Sequence, residues 1–176
     1  MVLLTVFSPL FGSLFSGLLG KVLGRKNSHR ITIALMLVSF LSAIFIAKDV
    51  FSGYYLGNAN TLTHHFSATT FHLYTWALTG WPTNNSFHFD IAFMVDQLSS
   101  IMMLVVTFVS LLVHIYSIGY MREDSGYQRF FSYVSLFTFM MLLLVTSNNF
   151  FQLFFGWEGV GLVSYLLIGF WFHKDS

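Results

Sequence analysis

The stretch Phe150–Phe172, FFQLFFGWEGVGLVSYLLIGFWF, is a continuous apolar run of 23 residues, long enough to cross a bilayer as an α-helix. Its one acidic residue, Glu158, lies near the middle, bracketed by Gly156, Gly159 and Gly161. An ionised carboxylate at that depth costs several kcal/mol, so the group is either neutral or paired with a partner from another helix. The stretch therefore predicts a membrane protein whose functional centre is this acid.

The composition indicates the same class of protein. Of the 176 residues, 56% are hydrophobic and only 9% are charged, whereas soluble domains average about 25% charged residues. The surroundings of the chain are therefore a lipid bilayer, and its net charge of +1 indicates no nucleic-acid partner. The absence of cysteine excludes thiolate-held iron–sulfur clusters and zinc sites. We predict no cofactor in this chain and place any redox chemistry on another subunit.

Four further apolar runs are long enough to span a membrane. At about 1.5 Å rise per residue, each covers most or all of a ~30 Å hydrocarbon core. The sequence predicts an all-α integral membrane protein, a single membrane domain over residues 1–176 with about five transmembrane helices. The predicted helices cover roughly 3–23, 31–51, 98–120, 130–146 and 150–172.

The one long connection, between the second and third predicted helices, carries a different pattern. Two β-prone runs, 70–78 and 87–94, flank a turn-forming segment, Gly80-Trp81-Pro82-Thr83-Asn84-Asn85. This pattern predicts a small β-hairpin over roughly 70–94 in the outer loop. His64 and His65 precede it and could bind a metal, but without cysteine we favour the interpretation that the chain has no metal site.

Basic residues predict the topology. Seven of the eight lysines and arginines fall in three places that five alternating helices put on one side of the membrane. By the positive-inside rule this side is the inside, so the N-terminus is outside and the C-terminus inside. The seven residues are Lys21, Arg25, Lys26, Arg30, Arg122, Arg129 and Lys174.

Helical spacing puts Glu158 on one face of the last helix with Gly161, Leu162, Tyr165 and Gly169. The functional interpretation is a proton-translocating acid with the phenol of Tyr165 beside it. The alternative is a neutral glutamic acid that hydrogen-bonds a neighbouring helix for packing. We favour the first, because membrane-buried acids are costly to keep without a use. All eight lysines and arginines lie near or beyond helix ends, so a cationic partner must come from elsewhere.

The third helix carries a polar stripe that includes His114. The stripe could line a hydrated path in which His114 is a proton relay, since imidazole titrates near neutral pH. Alternatively, the hydroxyl groups bond to the backbone of their own helix, and both interpretations stay open. The stripe consists of Ser100, Thr107, Ser110, His114 and Ser117.

Three further features have structural interpretations that we favour. Arg129, at the start of the fourth helix, is a topology determinant, with a role in gating as the alternative. Asp96, directly before the third helix, is a helix cap. Glycines spaced along the first helix predict close contact with a partner helix. These glycines are Gly12, Gly17, Gly20 and Gly24.

Four segments together resemble a known family. VDQLSS at 95–100, HIYSIGYM at 114–121, GYQRFFSYVSLF at 126–137 and FFGWEGVGLVSYLLIGFWF at 154–172 closely resemble chain 5 of NADH–ubiquinone oxidoreductase. This is an antiporter-like subunit of respiratory complex I, and the resemblance runs from about residue 1 to the end. Multisubunit sodium/proton antiporters share a similar GWE segment. A portion of such an antiporter and a purely structural membrane-arm scaffold are therefore the alternative functions.

The resemblance implies a mechanism and a location. Glu158 is the intramembrane acid that pairs with a lysine on a later, broken helix, and quinone reduction elsewhere in the complex drives proton movement. The chain is expected in the mitochondrial inner membrane as a multi-pass part of a proton-translocating NADH:ubiquinone reductase, with no redox active site of its own. Its N-terminus lies on the intermembrane-space side and its C-terminus on the matrix side.

The resemblance also implies partners. Chains of this family continue for several hundred residues more, so we expect a split subunit. A second polypeptide would carry the C-terminal helices and the lysine that pairs with Glu158. The other expected partners are the membrane-arm subunits of complex I.

Overall fold

The computed structural model describes residues 1–52, 68–79 and 87–172. The sequence features at His64, His65, 80–85 and Lys174 lie outside these residues. The described part consists of membrane-type helices with one two-stranded antiparallel sheet, which confirms the predicted fold class. Its elements are α1 (Val2–Leu18), α2 (Gly20–Phe51), β1 (Thr69–Thr79), β2 (Phe87–Val95), α3 (Gln97–Tyr120), α4 (Tyr127–Val145), α5 (Phe150–Ile168) and a short 3-10 helix (Gly169–Trp171).

The junction of α1 and α2 differs from the predicted loop. The first helix ends at Leu18 instead of residue 23, and α2 begins at Gly20 instead of residue 31. Leucine, lysine and arginine are good helix formers, so the basic segment is helical instead of forming a loop. The chain bends within it at Gly24, whose φ of 75° and ψ of 168° suit glycine alone. The basic residues therefore lie on a kinked helix.

The first helix is also shorter than a typical membrane span. Its 17 residues rise about 25 Å, against a hydrocarbon core of ~30 Å. Four segments of the described chain are long and apolar enough to cross a membrane. These segments are Val22–Phe51, Gln97–Tyr120, Tyr127–Val145 and Phe150–Trp171.

A capping box begins α3. The carboxylate of Asp96 accepts a hydrogen bond from the Ser99 backbone N–H at 2.6 Å, and the Ser99 hydroxyl accepts one from the Asp96 N–H at 2.8 Å. This reciprocal pair satisfies two N–H groups that a helix start otherwise leaves unbonded. The predicted role of Asp96 as a helix cap is confirmed.

The hairpin is attached to the turn between α4 and α5. Thr69 is opposite Val95 in its antiparallel register, close to the predicted bounds. At the other edge of β2, the Met94 N–H donates to the carbonyl of Thr146 at 2.8 Å, and Phe93 forms a β-bridge with Ser147. Strand β2 is therefore held on both sides.

Small hydroxyl side chains fill much of the bundle interior, while large apolar side chains cover the outside. Ser16 lies 2.6 Å from Ser28, and Thr5 lies 2.8 Å from Ser42, so these pairs join α1 to α2. In lipid no hydrophobic force favours apolar over small polar residues between helices, so close packing and hydrogen bonds hold them together.

The first-helix glycines pack inside this chain. A Cβ atom at Gly12 would lie 3.6 Å from Thr32 of α2, and one at Gly17 would lie 2.7 Å from the Ser132 hydroxyl of α4. The partner helices of Gly12 and Gly17 are therefore α2 and α4. Gly20 and Gly24 lie in α2 instead of the first helix. A Cβ atom at Gly20 would lie 3.1 Å from Gln128 of α4, whereas one at Gly24 would meet nothing within 4 Å in the described chain, so the predicted close contact is wrong for Gly24.

The basic connections meet at one end of the bundle. The guanidinium of Arg25 donates to the carbonyl of Arg122 at 3.2 Å, and the Tyr127 hydroxyl lies 3.1 Å from Nδ1 of His29. These contacts join the α1–α2 junction to the α3–α4 turn, at the end opposite the hairpin.

Candidate functional site

Strand β2 fixes the start of α5, the helix that carries Glu158. Asn149 caps the helix, because its side-chain oxygen accepts from the Gln152 N–H at 2.8 Å. The Asn149 amide nitrogen also donates to the carbonyl of Asp90 at 2.6 Å. The Ala92 N–H donates to the side-chain oxygen of Gln152 at 3.2 Å. The start of α5 is thus bonded to the hairpin by two side chains.

Aromatic and charged residues fix the other end of α5. The indole Nε1 of Trp171 donates to a carboxylate oxygen of Asp124 at 2.7 Å. The guanidinium of Arg129 lies 5.8 Å from the centre of the Phe170 ring, within cation–π range. Arg129 is otherwise exposed, at the end of the bundle where the basic connections meet.

One face of α5 packs against α4 at very short range. This face contains Gln152, Gly156, Gly159 and Val163, all buried, and their spacing of four, three and four residues puts them on one stripe. A Cβ atom at Gly156 would lie 2.7 Å from the Cα of Leu144. The two helices therefore approach as closely as glycine allows.

Glu158 lies on the other side of the helix. At about 100° per residue it is roughly 130° from the centre of the packing face. It is exposed, together with Leu162 (61%) and Tyr165 (74%), and a Cβ atom at Gly161 would meet nothing within 4 Å. Within the described residues, its carboxylate has no hydrogen bond or ion pair. The acid therefore points away from this bundle, toward whatever covers α5.

His114 is fully enclosed between α3 and α4. Its Nδ1 lies 2.8 Å from the carbonyl oxygen of Ser110, which only accepts, so Nδ1 carries the hydrogen. Its Nε2 lies 2.9 Å from the hydroxyl of Ser135, which donates to a neutral ring. The Ser110 hydroxyl lies 2.5 Å from that of Thr138, which itself donates to the carbonyl of Val134 at 2.9 Å. His114 therefore belongs to a hydrogen-bond network that links two helices.

The rest of the polar stripe on α3 is buried, and its hydroxyl groups bond to their own helix. Ser100 donates to the carbonyl of Gln97 at 2.9 Å, and Ser117 donates to that of Val113 at 2.7 Å. Outside the His114 network, the hydroxyl groups of the stripe therefore bond to the backbone of their own helix, which is the second interpretation that the sequence left open. The structure does not bring His114 and Glu158 together, because the former contacts α3 and α4 inside the bundle and the latter is exposed on α5.

Sequence reasoning missed the part of the network on α4. The sequence pattern that could have revealed it is the spacing of Ser132, Ser135 and Thr138. These residues are three positions apart in a largely apolar helix, which puts them near one face. Ser110 and Thr138 also line a groove of about 630 Å³ between α3 and α4. Its other lining residues are apolar, among them Val109 and Phe137. The network therefore reaches the wall of an apolar groove.

A family model supports the resemblance. The model described as NADH-Ubiquinone oxidoreductase (complex I), chain 5 N-terminus, matches residues 81–131. This segment includes all of β2, all of α3 and the start of α4.

Curated relatives match nearly the whole chain. NADH-quinone oxidoreductase subunit L of Neisseria meningitidis serogroup A is 47% identical over 177 aligned positions, covering 99% of this chain. NADH-ubiquinone oxidoreductase chain 5 is 44% identical in both Dictyostelium citrinum and Phytophthora infestans, again over 99% of this chain. The chain spans only 24% of the length of each of these relatives.

Proposed function

Because the chain belongs to the family of complex I chain 5 and subunit L, we propose that it forms part of a proton-translocating NADH:quinone oxidoreductase. Identities of 41–47% over 99% of the chain or more support this assignment. The match covers about a quarter of each relative, so the activity proposed is that of an assembled complex. Its other membrane-arm subunits are the proposed partners.

Glu158 is the proposed proton-translocating acid. The observation that carries this role is its exposure on α5, in the middle of a membrane-type helix and without a partner in the described residues. A carboxyl group at this depth is stable only when it is protonated or, if ionised, paired with a cation, so its charge depends on the group that faces it. A group whose charge depends on a neighbour can take up a proton when that neighbour withdraws and release it when the neighbour returns.

The proposed neighbour is a lysine from outside these 176 residues. In the sequence, all eight lysines and arginines of the chain lie near or beyond the ends of the predicted apolar spans. The exposed face with Gly161 leaves room for another helix at close range. The lysine would come from a second polypeptide or from further sequence of the kind that the longer relatives have.

Three other residues have proposed supporting roles. Tyr165 shares the exposed face with Glu158 and can hydrogen-bond the acid through water. His114 is a candidate relay, because its network contains hydroxyl groups able to pass a proton and reaches the groove between α3 and α4. Arg129, beside Phe170 at the end of α5, is a candidate gating residue.

Electron transfer is proposed to occur in other subunits. The chain has no cysteine, so it cannot hold an iron–sulfur cluster through thiolates. We therefore assign no cofactor to it. The proposed location is the mitochondrial inner membrane, with the N-terminus on the intermembrane-space side and the basic end of the bundle on the matrix side.

Replacement of Glu158 by glutamine tests the proposal. Glutamine keeps the shape and hydrogen-bonding capacity of the side chain but cannot ionise. In the assembled complex, the Glu158→Gln variant should move fewer protons per NADH oxidised than the wild type. Ser164→Ala is the matched control on α5, because among the described residues this hydroxyl bonds only within its own helix, to the carbonyl of Val160 at 2.6 Å. An unchanged proton yield in a fully assembled Glu158→Gln complex would leave a structural role.

A further inference from the structure

We propose that Gln152 is a positioning residue for Glu158, which it orients by fixing the rotation of α5 against the outer hairpin. The inference rests on the proposed function of Glu158 for its effect on proton transfer. Its structural part, the orientation of the helix, stands on the contacts of Gln152 alone.

Gln152 is a buried polar side chain with one directional bond. It is 5% exposed, and its oxygen accepts from the Ala92 N–H of β2 at 3.2 Å. Its Nε2 has no hydrogen-bond partner in the described part of the chain. A buried, unpaired amide N–H group is costly. The hydrogen bond that its oxygen accepts from Ala92 is therefore the contact that distinguishes glutamine from an apolar side chain at this position.

The remaining contacts of the packing face join α5 to α4. Leu144 and Met140 of α4 occupy the space that a Cβ atom would take at Gly156 and Gly159, so these contacts also restrict the rotation of α5. They do not connect α5 to the hairpin. The hydrogen bond from Ala92 to Gln152 is therefore the contact of this face that ties the rotation of α5 to strand β2.

The other end of this bond is itself fixed. On one side of Ala92, the Met94 N–H donates to the carbonyl of Thr146 at 2.8 Å. On the other side, the carbonyl of Asp90 accepts from Asn149 at 2.6 Å. Phe93, between them, is completely buried. The strand thus gives Gln152 a fixed point of attachment.

Rotation of α5 would move Glu158 with it. The acid is six residues beyond Gln152, about 9 Å along the axis at a rise of ~1.5 Å per residue. A helix turns about its axis as a unit because its backbone hydrogen bonds connect successive turns. A change at the hairpin end would therefore redirect the carboxyl group relative to any partner on the exposed face.

Three variants of the assembled complex test this inference. Gln152→Met keeps the length of the side chain but removes the acceptor, whereas Gln152→Glu keeps an acceptor oxygen. Leu153→Met, at an exposed position (41%) that helical periodicity puts about 140° from Glu158, is the control. Each is measured by electron cryomicroscopy, by NADH oxidation, and by protons moved per NADH across a range of pH.

We expect Gln152→Met to displace the Glu158 carboxyl group around the axis of α5 and to shift the pH profile of proton movement, with NADH oxidation retained. Gln152→Glu should keep the wild-type position of Glu158 and the wild-type pH profile, and Leu153→Met should match the wild type. Superposition of α5 and Glu158 in Gln152→Met on the wild type would overturn the inference. If Gln152→Met does not assemble, Gln152→Asn, whose amide is one carbon too short to reach Ala92, is judged by the same criteria.

The two proposals fail separately. If Glu158→Gln leaves the proton yield unchanged, the proposed function fails. A displaced Glu158 in Gln152→Met would then still establish Gln152 as the residue that orients α5.

Discussion

Trp171 and Asp124, 47 positions apart in the sequence, are joined by a hydrogen bond of 2.7 Å from the indole Nε1 to a carboxylate oxygen. The other carboxylate oxygen accepts from the backbone N–H of Gly126, also at 2.7 Å. One side chain therefore shapes the turn between α3 and α4 and holds the end of α5. The two roles can be separated by mutation.

Trp171→Phe should lower thermal stability less than Asp124→Ala. Phenylalanine keeps a ring against Tyr120, whose ring centre lies 5.9 Å from that of Trp171. It loses the hydrogen bond to Asp124, which should lower the free energy of unfolding by about 1 kcal/mol. Asp124→Ala also leaves the backbone N–H of Gly126 without its acceptor, so we expect the free energy of unfolding to fall by about 2 kcal/mol. The measurement is the thermal dissociation of the assembled complex. Equal effects of the two variants would contradict the double role of Asp124.

Gly156→Ala should weaken the contact between α4 and α5. The added methyl group would lie 2.7 Å from the Cα of Leu144, a backbone atom that cannot move alone. Overpacking of this kind costs about 1–3 kcal/mol, more than the ~1 kcal/mol that alanine gains over glycine in a helix. Gly119→Ala is the control, because Gly119 lies inside α3 and its methyl group would meet nothing within 4 Å of the described chain. Equal thermal stability of the two variants would argue against the close approach.

His114 and Ser135 should be energetically coupled. Ser135→Ala leaves Nε2 of the buried imidazole without a donor, which costs about 1–3 kcal/mol. Once His114→Leu has removed the ring, Ser135→Ala should cost less, because no acceptor remains to be satisfied. A double-mutant cycle on unfolding free energies measures the difference. Additive effects would show that the 2.9 Å contact contributes nothing to stability.

Gly24→Ala should destabilise the junction of α1 and α2. At φ 75° and ψ 168° a side chain is strained, by about 1–3 kcal/mol. Gly119 provides the control, because it lies inside α3 and a Cβ atom there would meet nothing within 4 Å in the described chain, so alanine there should be neutral or stabilising. The comparison is made by thermal dissociation of the complex. A harmless Gly24→Ala would mean that the bend at residue 24 is not required.

The sequence was most informative where a single element decides the geometry. The shared face of Glu158, Leu162 and Tyr165 follows from helical periodicity, and the cap at Asp96 follows from the residues directly after it. It was least informative at the α1–α2 junction. Charged residues there are compatible with a helix as well as with a loop, and the conformation of Gly24 depends on how the two helices pack.

Contacts between distant residues could not be read from the sequence. Ser13 and Ser132 lie 3.1 Å apart across 119 positions, and the partner of His114 on α4 depends on the relative height of two helices. Serine at such positions is equally compatible with a bond to its own backbone, which several hydroxyl groups of α3 make. The bond from Ala92 to Gln152 likewise requires the hairpin to fold back onto α5.

The exposure of Glu158 has a consequence for biogenesis. A newly inserted copy that has not met its neighbours holds a carboxyl group against acyl chains, at a cost of several kcal/mol if it ionises. Association that covers Glu158 lowers the free energy of such a copy. Until then, its exposed carboxyl group is a feature by which membrane quality control can recognise an unassembled chain. Any contact that covers α5 should therefore stabilise the chain and raise its steady-state amount.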